Sequence, residues 1–450
     1  MSGAVRSEHL QRRQSTRSAR ALQPLRNLLL RFGFVDDARH HPSHGGQPVP
    51  ASSRTRKLFP SMPKDFMRRR RLLRNISNFV LIAALSIGAA YVITRPSGGR
   101  GFTPGAGART ALSNAPAKAD SSVANPAALT VTGSPASGAA TDGYNLAPGP
   151  FNLSEVSDLV LHDAKRNKDV HVRVFYPVEA GKYPVIVFSH GAGGSQTCCE
   201  SLTQHWASYG YVTIQPTHDD SAVLRRNGGE EDIRFTQAVR DALKNPELWE
   251  SRPADISFVI DSLTVLQNRV AGLRGKIDTD RIGVAGHSMG SYSAEAIAGA
   301  RIDLPGHRAA TFADPRVKAV LCLSPQGPGQ FGLTEHSFDR ISLPYMGVTG
   351  SLDGLGPVAS PAWHKVPFDR SVAGDKFHLL IEGANHMSFI TPRTVSMKTA
   401  SRGEAILGYT NSAALAFWDA YLKNDANAKD YLGSDRLETQ SHNAAKLYRR

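Results

Sequence analysis

Cysteine is scarce in this chain: Cys198, Cys199 and Cys322 are the only three among 450 residues. They match no metal-ligand spacing and are too few for a disulfide framework, so neither a structural metal nor a crosslinked scaffold is expected. Cys322 lies in an apolar run and reads as a buried thiol, whereas the Cys198-Cys199 pair falls in a loop, free or oxidised. Outside the N-terminus the chain also lacks an excess of either charge. Residues 1–74 hold 17 Lys+Arg and 4 Asp+Glu; subtracted from the totals of 53 and 39, this leaves 36 and 35 for the other 376 residues. Of the net charge of +14, +13 therefore belongs to residues 1–74. A nucleic-acid partner for the body loses its support.

Residues 1–66 are rich in Arg, Ser, Pro and His with little apolar periodicity, which predicts a disordered basic tail. Met62 and Met67 both precede an export-type segment, so a start at either would leave the tail untranslated. Residues 67–94 carry that segment: five arginines (Arg68 to Arg71 and Arg74) stand before an uncharged stretch at 76–93, with Arg95 after it. Its 18 residues sit between a signal-peptide core and a short membrane span. The arginines leave the N-terminus in the cytoplasm and send the rest across. A signal anchor is favoured over a cleaved signal, giving a membrane-anchored protein with an extracytoplasmic catalytic domain; secretion or release to a periplasm after cleavage is the alternative. Residues 95–150, dominated by Gly, Ala, Ser, Pro and Thr, read as a flexible linker.

The pattern changes from 151 to 450. Alternating stretches at 158–162 and 170–177 suggest an antiparallel pair, and unbroken apolar runs follow at 183–188 and 211–216. A helical spacing covers 254–270, further buried strands are expected at 281–285, 317–324, 343–350 and 376–381, and a closing helix at 412–422. Strands alternating with helices predict one α/β domain with a mainly parallel sheet flanked by helices.

At its centre stands Gly286-His287-Ser288-Met289-Gly290, with an apolar run before it and a helix-forming segment after it. A serine hydroxyl is a weak nucleophile unless a tight turn presents it beside a base and backbone donors, and strand, Gly-x-Ser-x-Gly, helix is the context that does so. Ser288 is the expected nucleophile. Such triads can run in chain order serine, acid, histidine, each just past a strand end. That order selects Asp353, after the run at 343–350, and His386, after the run at 376–381. Asp339 precedes its strand, and Glu382 is too close to His386 in sequence to orient the far nitrogen. His287 is expected to point into packing. The loop His190-Gly191-Ala192-Gly193-Gly194 has neither a dinucleotide fingerprint nor a Lys-Ser/Thr ending. It is expected to supply an oxyanion amide from Ala192, with the amide of Met289 as the second donor. His190, Gly191 and His218 are candidates to line the pocket.

Phe188-Ser189-His190-Gly191-Ala192-Gly193, Ala207 to Val212, Thr217-His218-Asp219-Asp220 and the Ser288 pentapeptide together resemble the α/β-hydrolase branch that holds platelet-activating factor acetylhydrolases, chlorophyllases and dienelactone-hydrolase-like proteins. The resemblance spans roughly 155–425 and implies the α/β-hydrolase fold, Ser288 and His386 as the catalytic pair, and Ala192 and Met289 as oxyanion donors. Two departures limit it. Dienelactone hydrolases proper carry cysteine where this chain has Ser288. The plasma-type acetylhydrolases place their acid where this chain has Ser324-Pro325-Gln326, so the acid must come from elsewhere.

The expected activity is hydrolysis of a carboxylic ester, with a small-molecule ester or lipid as partner, the membrane contacted through 76–93, and neither cofactor nor metal. An acyltransferase, a peptidase or a phospholipid acylhydrolase with the same triad is the rival within the fold. A non-catalytic envelope binding module is the rival outside it. Residues 221–254 and 300–315, expected to build the pocket, carry no decodable substrate pattern.

Overall fold

The computed structural model describes Tyr144 and residues 147–354, 359–390 and 397–450, all within the unit Pro63–Arg450. The expected tail at 1–66, the segment at 67–94 and most of the linker at 95–150 lie outside the described residues.

In chain order the elements are β1 (Leu153–Asp163), β2 (Lys168–Pro177), β3 (Tyr183–Ser189), α1 (Glu200–Ser208), β4 (Val212–Thr217), α2 (Ala222–Asn227), α3 (Phe235–Ala242), α4 (Pro246–Asp261), α5 (Leu263–Arg269) and β5 (Ile277–His287). There follow α6 (Met289–Ile297), the hairpin β6 (Ile302–Leu304) and β7 (His307–Ala310), β8 (Val317–Leu323), β9 (Tyr345–Leu352), α7 (Pro361–Arg370), β10 (Lys376–Asn385), α8 (Met397–Leu422), α9 (Ala426–Gly433), α10 (Arg436–Gln440) and β11 (Ala445–Arg449).

Nine strands form one sheet in the order β1-β2-β4-β3-β5-β8-β9-β10-β11. Its middle is parallel from β4 to β10. Both of its flanks are antiparallel, at β1/β2, β2/β4 and β10/β11. The sheet is thus mixed, which corrects the expectation of a mainly parallel one. The physical reason lies in the connections: the short turn between β1 and β2 can only join antiparallel neighbours, since a parallel pair needs a long crossover. At the other edge β11 returns after α10, a strand that the sequence reading did not foresee.

The membrane segment is the second correction. Among the described residues no helix is long and apolar enough to cross a membrane. The longest, α8, has 26 residues but carries Lys398, Arg402, Glu404, Asn411 and Asp419, and it buries Phe417 and Trp418 in the core. The span expected at 76–93 lies outside the described residues. No helix among the described residues therefore supports the signal anchor, the membrane as a partner or the membrane-anchored location.

Alternation along the central strands shows why they run apolar throughout. Val185 and Val187 of β3 join one core cluster with Ile256, Val259 and Ile260 of α4 and Tyr292 of α6. Their neighbours Ile186 and Phe188 join another, with Trp206 of α1 and Trp418 of α8. Side chains alternate across a strand, so a sheet covered on both faces needs both sets apolar.

The helix expected over 254–270 is two helices that meet at Ser262, whose hydroxyl donates to the Phe258 carbonyl at 2.8 Å and competes with the helical ladder. Inside α4, Pro253 has no N–H for the Trp249 carbonyl. The Tyr292 hydroxyl donates to that carbonyl instead, at 2.9 Å, and so ties α4 to α6.

Candidate active site

In-register pairing of Gly286 with Ser189 on β3 and with Cys322 on β8 brings three strand ends to one edge of the sheet, and Ser288 lies just beyond it. Its backbone is left-handed, φ 57° and ψ −118°. That region is costly for a residue with a side chain, about 1–3 kcal/mol, and persists only where the surroundings hold it. Here the Ser288 N–H donates to the Leu323 carbonyl at 2.9 Å. The turn closes because Gly286 and Gly290 lack side chains: a Cβ at Gly286 would overlap the Gly290 carbonyl, and one at Gly290 would overlap the Ser189 carbonyl. The Ser288 side chain precedes α6 without capping it and is only half-buried.

Two further strand ends meet close by. Leu352 of β9 pairs with Asn385 of β10, so the next residue on each chain, Asp353 and His386, emerges beside the other. His386 Nδ1 and Asp353 Oδ1 are 3.0 Å apart. The other carboxylate oxygen of Asp353 accepts from the hydroxyls of Ser324 at 2.6 Å and Thr349 at 2.9 Å. Burial alone would raise the Asp353 pKa, but the imidazoles of His364 and His386 outweigh it and hold the carboxyl well below its usual range. Asp353 is thus a buried anion.

His287 lies against His386, with ring centroids 4.9 Å apart, and its Nε2 is 2.9 Å from the His386 carbonyl oxygen. A carbonyl only accepts, so this nitrogen carries the proton. Burial, helped by His386, drives the His287 pKa down to about 3, leaving a neutral ring that props the loop.

The loop from His190 to Gly194 is braced by buried charge. Arg252, on α4, is fully buried and donates to the carbonyls of His190 at 2.7 Å and Gly191 at 3.3 Å. It also forks onto Asp220, at 2.9 and 2.8 Å, and the Asp220 carboxylate accepts the Gly193 N–H at 2.7 Å. His190 Nε2 accepts the His218 N–H at 3.0 Å; His218 in turn bonds Ser189 at 2.9 Å and Asp255 at 2.8 Å. Both imidazoles are almost completely enclosed, and burial first, then the Arg252 charge, lowers their pKa values. His190 and His218 therefore belong to the bracing. Gly191 faces the serine turn: a Cβ built on it would stand 3.5 Å from the Ser288 Cβ. Ala192 is half-buried next to it.

Farther along that loop, Cys198 and Cys199 are free thiols with sulfurs 3.2 Å apart, and Cys322 is a buried free thiol.

Sequence reasoning missed the other partners of Asp353. Ser324 occupies the place left without a carboxylate after β8, and Thr349 is the fourth residue before Asp353. His364 of α7 sits with its Nε2 3.2 Å from Asp353 Oδ1, both side chains fully enclosed. Nothing in the sequence separates His364 from the other histidines. The facing atoms of Asp353, His364 and His386 lie within 4.8 Å of one another. Chemically, the edge offers a half-exposed hydroxyl on a strained turn, an imidazole oriented by a buried anion, and backbone amides at the start of α6 and in a braced loop.

A family profile described as Chlorophyllase matches residues 148–361. The chain is 26% identical to "Cutinase est1" of Thermobifida alba over 227 residues, 50% of this chain and 60% of that protein. To "Cutinase 1" of Thermobifida cellulosilytica it is 23% identical over 250 residues, 55% of this chain and 76% of that one. To "Bis(hydroxyethyl) terephthalate hydrolase" of Streptomyces coelicolor it is 25% identical over 229 residues, 50% of this chain and 58% of that one. The chain thus spans 60% of the length of the Thermobifida alba relative.

Proposed function

The chain is an α/β-hydrolase superfamily protein related to chlorophyllase- and cutinase-like esterases, and on that footing we propose that it hydrolyses carboxylic esters through an acyl-enzyme. The observation that carries the reading is the Asp353–His386 pair, which shares a sheet edge with the left-handed turn at Ser288. Ser288 Oγ attacks the acyl carbon while His386 Nε2 takes its proton. Asp353 keeps the imidazole proton on Nδ1 and stabilises the imidazolium. The amides of Met289, first residue of α6, and Ala192 hold the tetrahedral oxyanion. Within the braced loop the neighbouring amides of Gly193 and Gly194 are already donated to Asp220 and to the Gly191 carbonyl, which supports Ala192 for this role. His386 then protonates the leaving alcohol and activates the water that releases the acid.

Ser324 is the other serine near this pair, but it is buried and its hydroxyl is spent on Asp353. It suits holding the acid and not attack. Leu352 and Met387, beside Asp353 and His386, expose 62% and 40% of their surfaces, an apolar rim that favours esters with an apolar acyl or alcohol part.

The test is hydrolysis of p-nitrophenyl esters over a series of acyl lengths by the wild type and Ser288→Ala. Loss of at least about 10³-fold in kcat is expected for the variant. Unchanged turnover would refute the mechanism.

A further inference from the structure

Asp353 is approached by two imidazoles, and only one of them has a part in the mechanism above. His364 projects from α7 with its side chain fully enclosed. Its Nδ1 is 2.5 Å from the Pro325 carbonyl oxygen, which can only accept, so Nδ1 holds a proton. Its Nε2 is 3.2 Å from Asp353 Oδ1. That approach is poorly aligned for a hydrogen bond, so the contact acts chiefly through charge. Were Nε2 unprotonated, an electron-rich nitrogen would stand 3.2 Å from a buried carboxylate, an arrangement that costs free energy on both sides. A proton on Nε2 removes the conflict and gives the buried anion a counter-charge.

We propose that His364 is a positioning residue, a protonated second imidazole that shares Asp353 with His386 and thereby weakens His386 as a base. The proposal rests on the reading of Asp353 and His386 as acid and base. Asp353 Oδ1 faces both rings, whose centroids are 6.2 Å apart. With His364 charged, the carboxylate stabilises the His386 imidazolium less than a free anion would.

The other ionisable groups around the pair do not supply this charge. His287, from β5, and His378, from β10, are both driven to about 3 by burial and are neutral near pH 7. Lys365, next to His364, is directed to Asp369 and lies over the rings of Phe368 and Tyr448.

The experiment is the pH profile of kcat/KM for the wild type, His364→Phe and His364→Gln, with thermal melts to confirm folding. Both variants remove the charge, and the glutamine keeps a neutral donor toward Asp353. The acidic limb is expected to move to higher pH by about one unit in each, a loss of about tenfold below the limb with little change at pH 9. A limb that stays in place in His364→Gln, or moves to lower pH, overturns the proposal, because a merely structural histidine would lower activity without that shift. Imidazole ¹⁵N spectra of Ser288→Ala at pH 8 give a readout that needs no turnover. Two protonated nitrogens on His364 support the proposal, and one overturns it. Should Ser288→Ala keep its esterase activity, the ester-hydrolase reading falls while the spectra still decide the state of His364.

Discussion

Replacing Arg252 with methionine would remove the buried charge that braces the loop carrying Ala192. Arg252 and Asp220 are both completely enclosed, and the guanidinium meets both carboxylate oxygens. Breaking such a pair from one side leaves an uncompensated charge, at a cost of about 3–5 kcal/mol. The carbonyls of His190 and Gly191 lose their donor as well. For Asp220 burial raises the pKa, but Arg252, His190 and His218 outweigh it and set the carboxyl far below its usual range. A depressed carboxyl pKa contributes stability that is complete above the unfolded value, near 4, and is lost as pH falls toward the folded value. The gap between wild type and Arg252→Met, measured by urea denaturation, should therefore be about 3–5 kcal/mol at pH 7 and should narrow steadily from pH 4 to pH 3. Ester turnover should drop through kcat with KM nearly constant, by at most the ~10²–10³-fold that removal of one oxyanion donor costs. The double variant Arg252→Met/Asp220→Asn should recover part of the stability, since asparagine carries no charge and its amide oxygen can still accept the Gly193 N–H. Equal urea midpoints at pH 7 together with kcat within twofold of wild type would refute the bracing role.

Asp353→Asn should lower kcat by about 10⁴-fold with the fold intact, because an amide in that place favours the tautomer with the proton on the wrong imidazole nitrogen; stopped assays at pH 8 would show it, and a loss below tenfold would contradict it. Gly290→Ala should yield little folded protein, since the added methyl meets the Ser189 carbonyl of β3; a normal melting temperature for this variant would count against the tight closure of the Ser288 turn.

Strand ends were legible because they obey local rules. An unbroken apolar run says that both faces of a strand are covered, and the turn chemistry after it says where the run stops. The runs at 281–285, 343–350 and 376–381 coincide with β5, β9 and β10 to within a few residues. Once the strands are parallel, the pairing of Leu352 with Asn385 puts Asp353 beside His386 without further information. The return of β11 was not legible, because its five residues form a strand only by lying against β10. The long apolar pattern at 254–270 concealed the break at Ser262, since two helices on the same sheet face need the same spacing.

Polar bracing was harder still to read. Arg252 and Asp255 lie in a helix among charged residues, and on sequence alone both belong on its wet face. They are buried because the His190 loop and the end of β4 supply carbonyls, carboxylates and an imidazole that no linear pattern announces. His364 follows the same rule. It becomes informative only when the carbonyl of Pro325 has taken one of its nitrogens, for then the other is left 3.2 Å from Asp353. Strand-end chemistry thus follows from periodicity. The charge state of the groups behind it follows from contacts between segments tens of residues apart, which is where the pH dependence of this site is decided.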